Sequence, residues 1–171
     1  MSSAAVPTVF VGLFQYLDQF PGLSLASLNR CLIGGSAVPR SMIQQVNERL
    51  GADTIQAWGM TELNPMGVVC TTLPIHAGKS FDELLELRVK QGRAVFGVEI
   101  RIVDDTGEEL PRDGHSFGNL QVRGPWVVQN YYRCSESATD YDQWFDTGDV
   151  ATIDRHGYVQ LVDRSKDVIK R

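Results

Sequence analysis

Cysteine is scarce in this chain, and long hydrophobic runs are missing from it. The three cysteines, Cys31, Cys70 and Cys134, are far apart, and no two have the Cys-x-x-Cys spacing of a zinc site. Their odd number argues against a disulfide framework and is typical of reduced thiols inside a cell. No segment approaches the roughly 20 apolar residues that cross a bilayer. Because Met1–Ala5 also lacks the features of a signal peptide, we expect a cytoplasmic protein without a transmembrane segment.

Runs of basic residues are missing as well. The formal net charge is −5, which argues against a nucleic-acid-binding or anionic-membrane surface. His76, His115 and His156 have no acid or cysteine at ligand spacing, and the motifs GxSxG and HExxH are lacking. A metal triad or a Ser-His-Asp hydrolase is therefore disfavoured. The hydrophobic content of 43% and charged content of 22% indicate a folded globular protein.

The first half of the chain has the pattern of helices alternating with strands. Apolar residues recur at steps of three and four from Val6 to Phe20, which predicts a helix. The following segments predict a strand at Arg30–Ile33, a Gly34–Ser36 turn, a helix through Ile43, Val46 and Leu50 capped by Gly51, and a strand at Thr54–Trp58. This order predicts a βαβ unit of a parallel sheet, which binds ligands at the carboxyl ends of its strands. We expect the turns after both strands to face one pocket.

In the second half of the chain, hydrophobic residues recur with a period of two, which is typical of strands. A loop over residues 63–74 and a short amphipathic helix through Leu84 and Leu85 come first. Alternating segments then follow at Val98–Ile102, Asn119–Arg123, Val150–Ile153 and Tyr158–Val162, separated by turn residues. The predicted fold class is α/β. Residues 1–90 form the βαβ portion of a parallel-sheet subdomain, and residues 91–171 form a small antiparallel β-barrel-like subdomain.

In the first half of the chain, the heptapeptide Gln56–Glu62 contains several residues that could bind a nucleotide. Trp58 offers a flat face for a base, and Gly59 permits a tight backbone turn. The Thr61 hydroxyl can donate to a phosphate oxygen, and the Glu62 carboxylate can bind a hard cation such as Mg²⁺. A strand that ends in a turn with an incidental acid explains the same residues. This segment alone therefore does not distinguish a nucleotide site from an ordinary turn.

Two charged clusters follow in the second half. Thr147-Gly148-Asp149 places an acid directly after a glycine at the start of the predicted Val150 strand, and Asp163–Asp167 has four charged residues in five. A carboxylate such as Asp149 can accept hydrogen bonds from both hydroxyls of a ribose, and Arg164 offers several donors to the same sugar or to a phosphate. Each cluster by itself is equally compatible with a charged turn.

Taken together, these motifs resemble the adenylate-forming superfamily, which contains acyl-CoA synthetases, adenylation domains of peptide synthetases and beetle luciferases. The motifs Gly34–Ser36, Trp58–Glu62, Thr147–Asp149 and Asp163–Asp167 occur in the order and approximate spacing of that superfamily. The resemblance runs from about Pro7 to Arg171. The chain looks most like part of the large N-terminal domain of a bacterial medium- or long-chain fatty-acyl-CoA ligase, although Trp58 stands where many relatives have tyrosine.

The resemblance implies a reaction and a set of site residues. Such enzymes join a carboxylic acid to ATP, release pyrophosphate, and pass the acyl group from the adenylate to coenzyme A. The implied nucleotide-binding residues are Gly35 and Ser36 at the adenine pocket, Trp58 against the ring with Gly59 beside it, Thr61 at the α-phosphate, and Asp149 with Arg164 at the ribose. Glu62 is implied to hold Mg²⁺ and to act in catalysis with Thr61 and Lys170. Lys166 resembles the hinge residue of the family.

Two segments of the family are not found in this sequence. A Gly/Ser/Thr-rich phosphate loop normally precedes this region, and a C-terminal domain follows it, so we expect the isolated chain to be inactive in acyl-CoA synthesis. We expect its partners to be a small carboxylic acid, ATP and coenzyme A, with no nucleic acid, and exposed edges to favour self-association. A non-catalytic remnant or interaction module stays an alternative, as does an adenylating enzyme for an aryl, amino or methylthio-propionic acid.

Overall fold

The computed structural model describes the backbone of residues 1–164 and the side chains of residues 1–162. This part of the chain forms two sheets, one after the other along the sequence. The α-helices are α1 (Pro7–Gln19), α2 (Arg40–Leu50) and α3 (Phe81–Arg88). The strands are β1 (Ser2–Ala5), β2 (Arg30–Gly34), β3 (Asp53–Trp58), β4 (Val68–Val69), β5 (Arg93–Ala94), β6 (Glu99–Val103), β7 (Phe117–Arg123), β8 (Phe145–Ile153) and β9 (Val159–Arg164).

The first sheet has five strands in the order β1-β2-β3-β4-β5. The strands β1, β2 and β3 are parallel, and β4 and β5 pair in antiparallel fashion. The predicted βαβ unit is confirmed as β2-α2-β3, in which Gly34 pairs with Ala57. Gly51 ends α2 in the left-handed conformation with a φ of 60°, as predicted for a helix cap. The carboxyl ends of β2 and β3 therefore lie side by side.

An apolar core holds the helices α1 and α2 against this sheet. Phe10 and Phe14 of α1 pack in one cluster with Ile43 and Val46 of α2 and with Ile33 of β2. Phe10, Ile43 and Val46 lie on the faces that the three-and-four spacing predicts. In contrast, Val6 and Phe20, the end residues of the predicted α1 stripe, are 46% and 47% exposed, because they flank the helix rather than belong to it. Burying one side chain of the core contributes roughly 1.5–3 kcal/mol. This core consequently fixes the strand ends at which the glycine turn and the Trp58 turn begin.

The second sheet has four antiparallel strands in the order β6-β7-β8-β9. Its buried side chains come from alternate positions, among them Ile100 and Ile102 of β6 and Leu120 and Val122 of β7. The register shifts in β7–β8 and again in β8–β9, as occurs at β-bulges. The predicted α/β class, with a parallel-sheet unit followed by an antiparallel, barrel-like unit, is confirmed.

The sequence-based prediction misses the strands β1, β4 and β5, and it places the start of β8 too late. The strand β1 is not predicted, because its short serine and alanine side chains give no apolar alternation. The strand β4 lies in a stretch predicted as loop, since two residues are too few to show a period. The strand β8 begins at Phe145, so Thr147–Asp149 lie within it rather than before it. Polar side chains at these positions hide the strand pattern.

The segments before and after α3 contact the hairpin β8–β9. The Lys90 Nζ donates to Asp154 Oδ2 at 2.7 Å, and the Tyr158 hydroxyl donates to the Thr71 carbonyl oxygen at 2.6 Å. The subdomain boundary near residue 90 stays a prediction; β5, which completes the first sheet, lies at Arg93–Ala94. Within residues 1–164, none of the helices has the length and apolar character that a bilayer crossing requires.

Candidate functional site

A cleft of about 650 Å³ opens where the first sheet meets strands β8 and β9. Its volume lies in the range of roughly 300–1,000 Å³ that is usual for small-molecule sites. The lining residues come from the ends of β2 and β3, from the segment after α3, and from β8 and β9: Gly35, Ser36, Ala37, Gln56, Ala57, Trp58, Gly59, Met60, Gln91, Thr147, Gly148, Asp149, Leu161 and Val162. The glycine turn after β2 and the Trp58 turn after β3 therefore share one cleft, as expected for turns at the carboxyl ends of parallel strands. The Thr147–Asp149 motif of β8 lines the same cleft.

The glycine turn after β2 requires its glycines. A Cβ at Gly34 would lie 2.7 Å from the Ala57 carbonyl oxygen, closer than side-chain carbons approach an oxygen. Gly35 has a φ of 86°, in the left-handed region that favours glycine. The chain can therefore leave β2 close to β3, and the exposed Ser36 lines the cleft.

Trp58 and Asp149 are joined across the cleft by a hydrogen bond. The indole Nε1–H of Trp58 donates to Asp149 Oδ2 at 3.1 Å. A Cβ at Gly67 would lie 2.7 Å from Trp58 Cζ3, so the backbone of Gly67 packs closely on the indole. On the other side, the Thr147 hydroxyl accepts from the Asp149 backbone N–H at 3.2 Å. The aromatic ring and the carboxylate thus take fixed positions beside each other.

Thr61 and Glu62 lie in a single 3₁₀ turn over Thr61–Leu63, directly after the cleft residue Met60. The chain folds back tightly here, since a Cβ at Gly59 would collide with the Pro65 carbonyl oxygen. Leu63 anchors the turn in the core, while Thr61 is exposed. The structure thus brings Thr61 and Glu62 next to the cleft, although the cleft lining proper ends at Met60.

The Glu62 carboxylate is held by the loop after β7. Its Oε1 accepts a hydrogen bond from the Tyr131 hydroxyl at 3.0 Å. The Glu62 carbonyl oxygen accepts from the Val128 backbone N–H at 2.8 Å. Among the residues that the structure describes, no group of three or more His, Cys, Asp or Glu side chains could hold a metal ion. A cation at Glu62 would therefore need oxygen ligands from a nucleotide and from water.

Three predicted residues fall partly or wholly outside the described side chains. The backbone of Arg164 pairs with Asp149 in the β8–β9 ladder, but its side chain lies outside the described residues. Lys166 and Lys170 also lie outside them. Their implied roles stay predictions.

Two residues at the site are not predicted as site residues. Gln91 lines the cleft, and its Oε1 accepts from the Leu161 backbone N–H at 2.7 Å. In the sequence, Gln91-Gly92-Arg93 ends a predicted helix and contributes to the resemblance to fatty-acyl-CoA ligases, without an assigned role at the site. Tyr131 lies in the aperiodic loop after β7, where nothing local distinguishes it from Tyr132. Only proximity to Glu62 identifies it.

A second cleft, of about 470 Å³, is lined in part by Arg93, Arg112 and Arg123. Arg123 Nη2 donates to Glu99 Oε2 at 2.7 Å, and Arg112 Nη2 donates to the Ile100 carbonyl oxygen at 2.7 Å. Two of its three arginines are thus already hydrogen-bonded to other groups of the chain. We assign the candidate site to the larger cleft because that cleft contains the motif residues.

Relatives with known activities resemble this chain over most of its length. It is 48% identical over 165 residues to a medium-chain-fatty-acid–CoA ligase of Ectopseudomonas oleovorans, and 47% identical to a 3-methylmercaptopropionyl-CoA ligase of Ruegeria lacuscaerulensis. Each match covers 96% of this chain and 30% of the relative. The chain therefore spans about 30% of the length of these curated relatives.

The fold and the family model agree with these relatives. The structure matches the anthranilate CoA ligase AuaEII in complex with anthranoyl-AMP at a TM-score of 0.78 and 26% identity, over 99% of this chain and 30% of that one. The family model described as AMP-binding enzyme matches residues 2–132. This chain belongs to the family of AMP-binding enzymes, as its motifs predict.

Proposed function

We propose that this chain forms the nucleotide-binding part of an AMP-forming acyl-CoA ligase, which activates a carboxylic acid as acyl-AMP and transfers the acyl group to coenzyme A. The observation that carries the proposal is the pairing of Trp58 with Asp149 in one cleft. An aromatic face beside a carboxylate suits adenosine, which offers a flat base and a vicinal diol. The activities named for the two relatives support an aliphatic acid as the substrate, with fatty acids favoured.

Each residue has one task in this proposal. Trp58 lies against the adenine ring, with Gly59 beside it and with Gly35 and Ser36 lining the pocket. Asp149 accepts hydrogen bonds from the ribose hydroxyls, with Arg164 as a predicted helper. Thr61 donates to the α-phosphate, Glu62 binds Mg²⁺, and Lys170 stays the predicted lysine of thioester formation.

The residues present fit Mg²⁺ bound together with a nucleotide. Such a cation commonly uses one or two carboxylates and takes its remaining ligands from phosphates and water, so Glu62 alone suffices on the protein side. When bound, Mg²⁺ offsets negative charge on the phosphate oxygens.

The chemistry needs two displacements. In the first, a carboxylate oxygen of the acid attacks the α-phosphorus of ATP, and the bond to pyrophosphate breaks. In the second, the thiol of coenzyme A gives its proton to solvent, its sulfur attacks the acyl carbon, and AMP leaves with the electrons of the cleaved C–O bond. A donor fixed in place, such as Thr61, stabilises the charge that develops on the α-phosphate oxygens in the first step.

The proposal is tested by titrating the purified chain with a non-hydrolysable acyl-adenylate analogue in a calorimeter. We expect saturable binding by the wild-type chain and a loss of affinity of about tenfold or more in Asp149→Ala, since a hydrogen bond to a charged group contributes about 1.5–3 kcal/mol. Asp142→Ala is the matched control, because Asp142 is an exposed acid outside the cleft lining.

A hybrid enzyme distinguishes two explanations for a chain that does not bind the analogue: a nucleotide site that needs further segments, and a non-catalytic remnant. In the hybrid, this chain replaces the matching segment of the Ectopseudomonas oleovorans ligase. We expect this hybrid to form CoA esters of octanoate or of 3-methylmercaptopropionate. A folded hybrid that neither binds the adenylate analogue nor makes any CoA ester would favour the remnant and contradict the proposal.

We also propose a cytoplasmic location and self-association of the isolated chain. Cys31, Cys70 and Cys134 are free thiols, which is typical of reducing compartments. Exposed apolar side chains on α1, such as Val9 and Tyr16, support self-association.

A further inference from the structure

Tyr131 reaches Glu62 from a distant part of the chain. The two residues are 69 positions apart, and the Tyr131 hydroxyl lies 3.0 Å from Glu62 Oε1. Among the described residues, this is the hydrogen bond that restrains the Glu62 carboxylate. The acid leaves the first sheet in the turn after β3, whereas the phenol comes from the loop after β7. The direction of the acid is therefore set jointly by both subdomains.

The loop that carries Tyr131 is itself anchored. The Val128 backbone N–H donates to the Glu62 carbonyl oxygen at 2.8 Å, directly beside the side-chain contact. Across the loop, Asn130 and Ser137 form an isolated β-bridge, and Tyr131 follows Asn130 in the chain. The loop thus presents Tyr131 to Glu62 from a restrained backbone. The phenol can hold the carboxylate in one orientation because its own position is restricted.

We propose that Tyr131 is a positioning residue for the cation that accompanies the nucleotide. By binding Oε1 of Glu62, it leaves Oε2 available as a ligand and fixes the direction in which that oxygen points. The inference rests on the proposed function, since it takes Glu62 as the cation ligand. Hydrogen-bonded partners of this kind orient ligating carboxylates, and their loss typically weakens metal binding about 10- to 100-fold.

The electrostatics of the phenol agree with a donor role. Desolvation and the hydrogen bond to Glu62 both raise the pKa of Tyr131 above its ordinary value. A phenol O–H is a hydrogen-bond donor, and at 3.0 Å from Oε1 it is placed to donate to the carboxylate. A neutral donor also leaves the full negative charge of Glu62 available to a cation.

The chain offers a matched control in the next residue. Tyr132 is 88% exposed, and its ring faces the Arg133 guanidinium at 5.1 Å. Tyr132→Phe therefore removes the same hydroxyl from the same loop without touching Glu62. Comparing Tyr131→Phe with Tyr132→Phe separates the contact with the acid from general effects on the loop.

The test measures ATP affinity by calorimetry, once with excess Mg²⁺ and once with EDTA, in the chain and in the hybrid enzyme. We expect Tyr131→Phe to reduce the gain in affinity that Mg²⁺ confers by about tenfold or more. Its affinity for ATP in EDTA and its melting temperature should match those of the wild type, and Tyr132→Phe should behave as wild type throughout. In a Glu62→Gln background, Tyr131→Phe should cause no further loss, because the two residues act as a pair.

Two results would overturn the inference while leaving the proposed function intact. One is a full Mg²⁺-dependent gain in Tyr131→Phe while Glu62→Gln loses it. The other is an equal loss of ATP affinity with Mg²⁺ and with EDTA, which would show that Tyr131 only supports the loop. A hybrid in which ATP binding is independent of both Mg²⁺ and Glu62 would instead contradict the cation site itself, and the inference with it.

Discussion

Trp58 and Asp149 are coupled at the level of single atoms. They are 91 positions apart and belong to different sheets, yet Nε1 and Oδ2 lie 3.1 Å apart. The resemblance to the superfamily implies tyrosine at this position in many relatives. The indole of this chain keeps a flat ring for the base and adds an N–H that restrains the carboxylate. Ring and acid therefore form one preorganised unit.

At this scale we predict that Trp58→Phe weakens binding of the acyl-adenylate analogue about tenfold. Phenylalanine keeps the aromatic face but removes the N–H, and a hydrogen bond to a charged group contributes about 1.5–3 kcal/mol. Calorimetric titration measures the change. The control is Trp126→Phe, since Trp126 packs on Gly97, away from the cleft. Equal affinities for Trp58→Phe and wild type would show that the N–H does not orient Asp149.

At the scale of elements, the turn between β8 and β9 is held by one carboxylate. Asp154 Oδ1 accepts from the backbone N–H groups of His156 and Tyr158 at 2.9 and 3.0 Å, and Oδ2 accepts from Lys90 Nζ at 2.7 Å. Lys90 belongs to the segment between α3 and β5, so this turn connects the hairpin to the part of the chain that enters the first sheet.

This arrangement predicts a dependence of stability on pH. Burial raises the pKa of the Asp154 carboxyl, but the hydrogen bonds from Lys90 and from the Tyr158 and His156 N–H groups outweigh it, and the pKa lies below its ordinary value. Because the folded pKa is the lower one, the stabilisation is complete above the unfolded value of about 3.9 and disappears as the pH falls through the folded value. We expect Asp154→Asn to lower the free energy of unfolding by about 1–3 kcal/mol at neutral pH.

Urea unfolding at a series of pH values measures this effect. The difference between wild type and Asp154→Asn should shrink as the pH falls below the unfolded pKa, and it should vanish below the folded pKa, where both side chains are uncharged in the folded protein as well. Asp142→Asn, at an exposed position, should change stability little. A difference that stays constant across the series would mean that Asp154 acts through packing rather than through its charge.

At the scale of the whole molecule, the outer face of α1 stands out. Val9, Val11 and Tyr16 are 57%, 45% and 52% exposed, although they belong to a helix whose other face is deeply buried. The edge of the first sheet at β1 carries only serine and alanine, without the charges that usually prevent strands from pairing with other molecules. Both features favour association between copies of the chain.

We predict concentration-dependent self-association of the isolated chain, weakened about tenfold or more by Val9→Lys, which removes apolar surface and adds a charge. Sedimentation equilibrium measures the association constant. Thr8→Lys is the control, because it places the same charge on the neighbouring exposed position without removing a valine. A wild-type chain that stays monomeric at all concentrations would contradict the prediction.

Local patterns in the sequence determined the elements and the family. The three-and-four spacing through Phe10, Leu13 and Leu17 predicts α1, and the alternation through Ile100 and Ile102 predicts β6, because each period reflects which side chains one local backbone can bury together. The ordered motifs likewise identified the superfamily and the glycine turns at the cleft. The strand β4 escaped prediction because it exists only through pairing with β3 and β5.

Tertiary structure alone decided which distant side chains meet. No local pattern links Trp58 to Asp149 or Glu62 to Tyr131, since these pairs are 91 and 69 positions apart. Their contacts follow from how two sheets pack and how the loop after β7 returns to the turn after β3. The residue types present at the site can thus be read along the chain, whereas the partner that orients each of them depends on the folded arrangement of both subdomains.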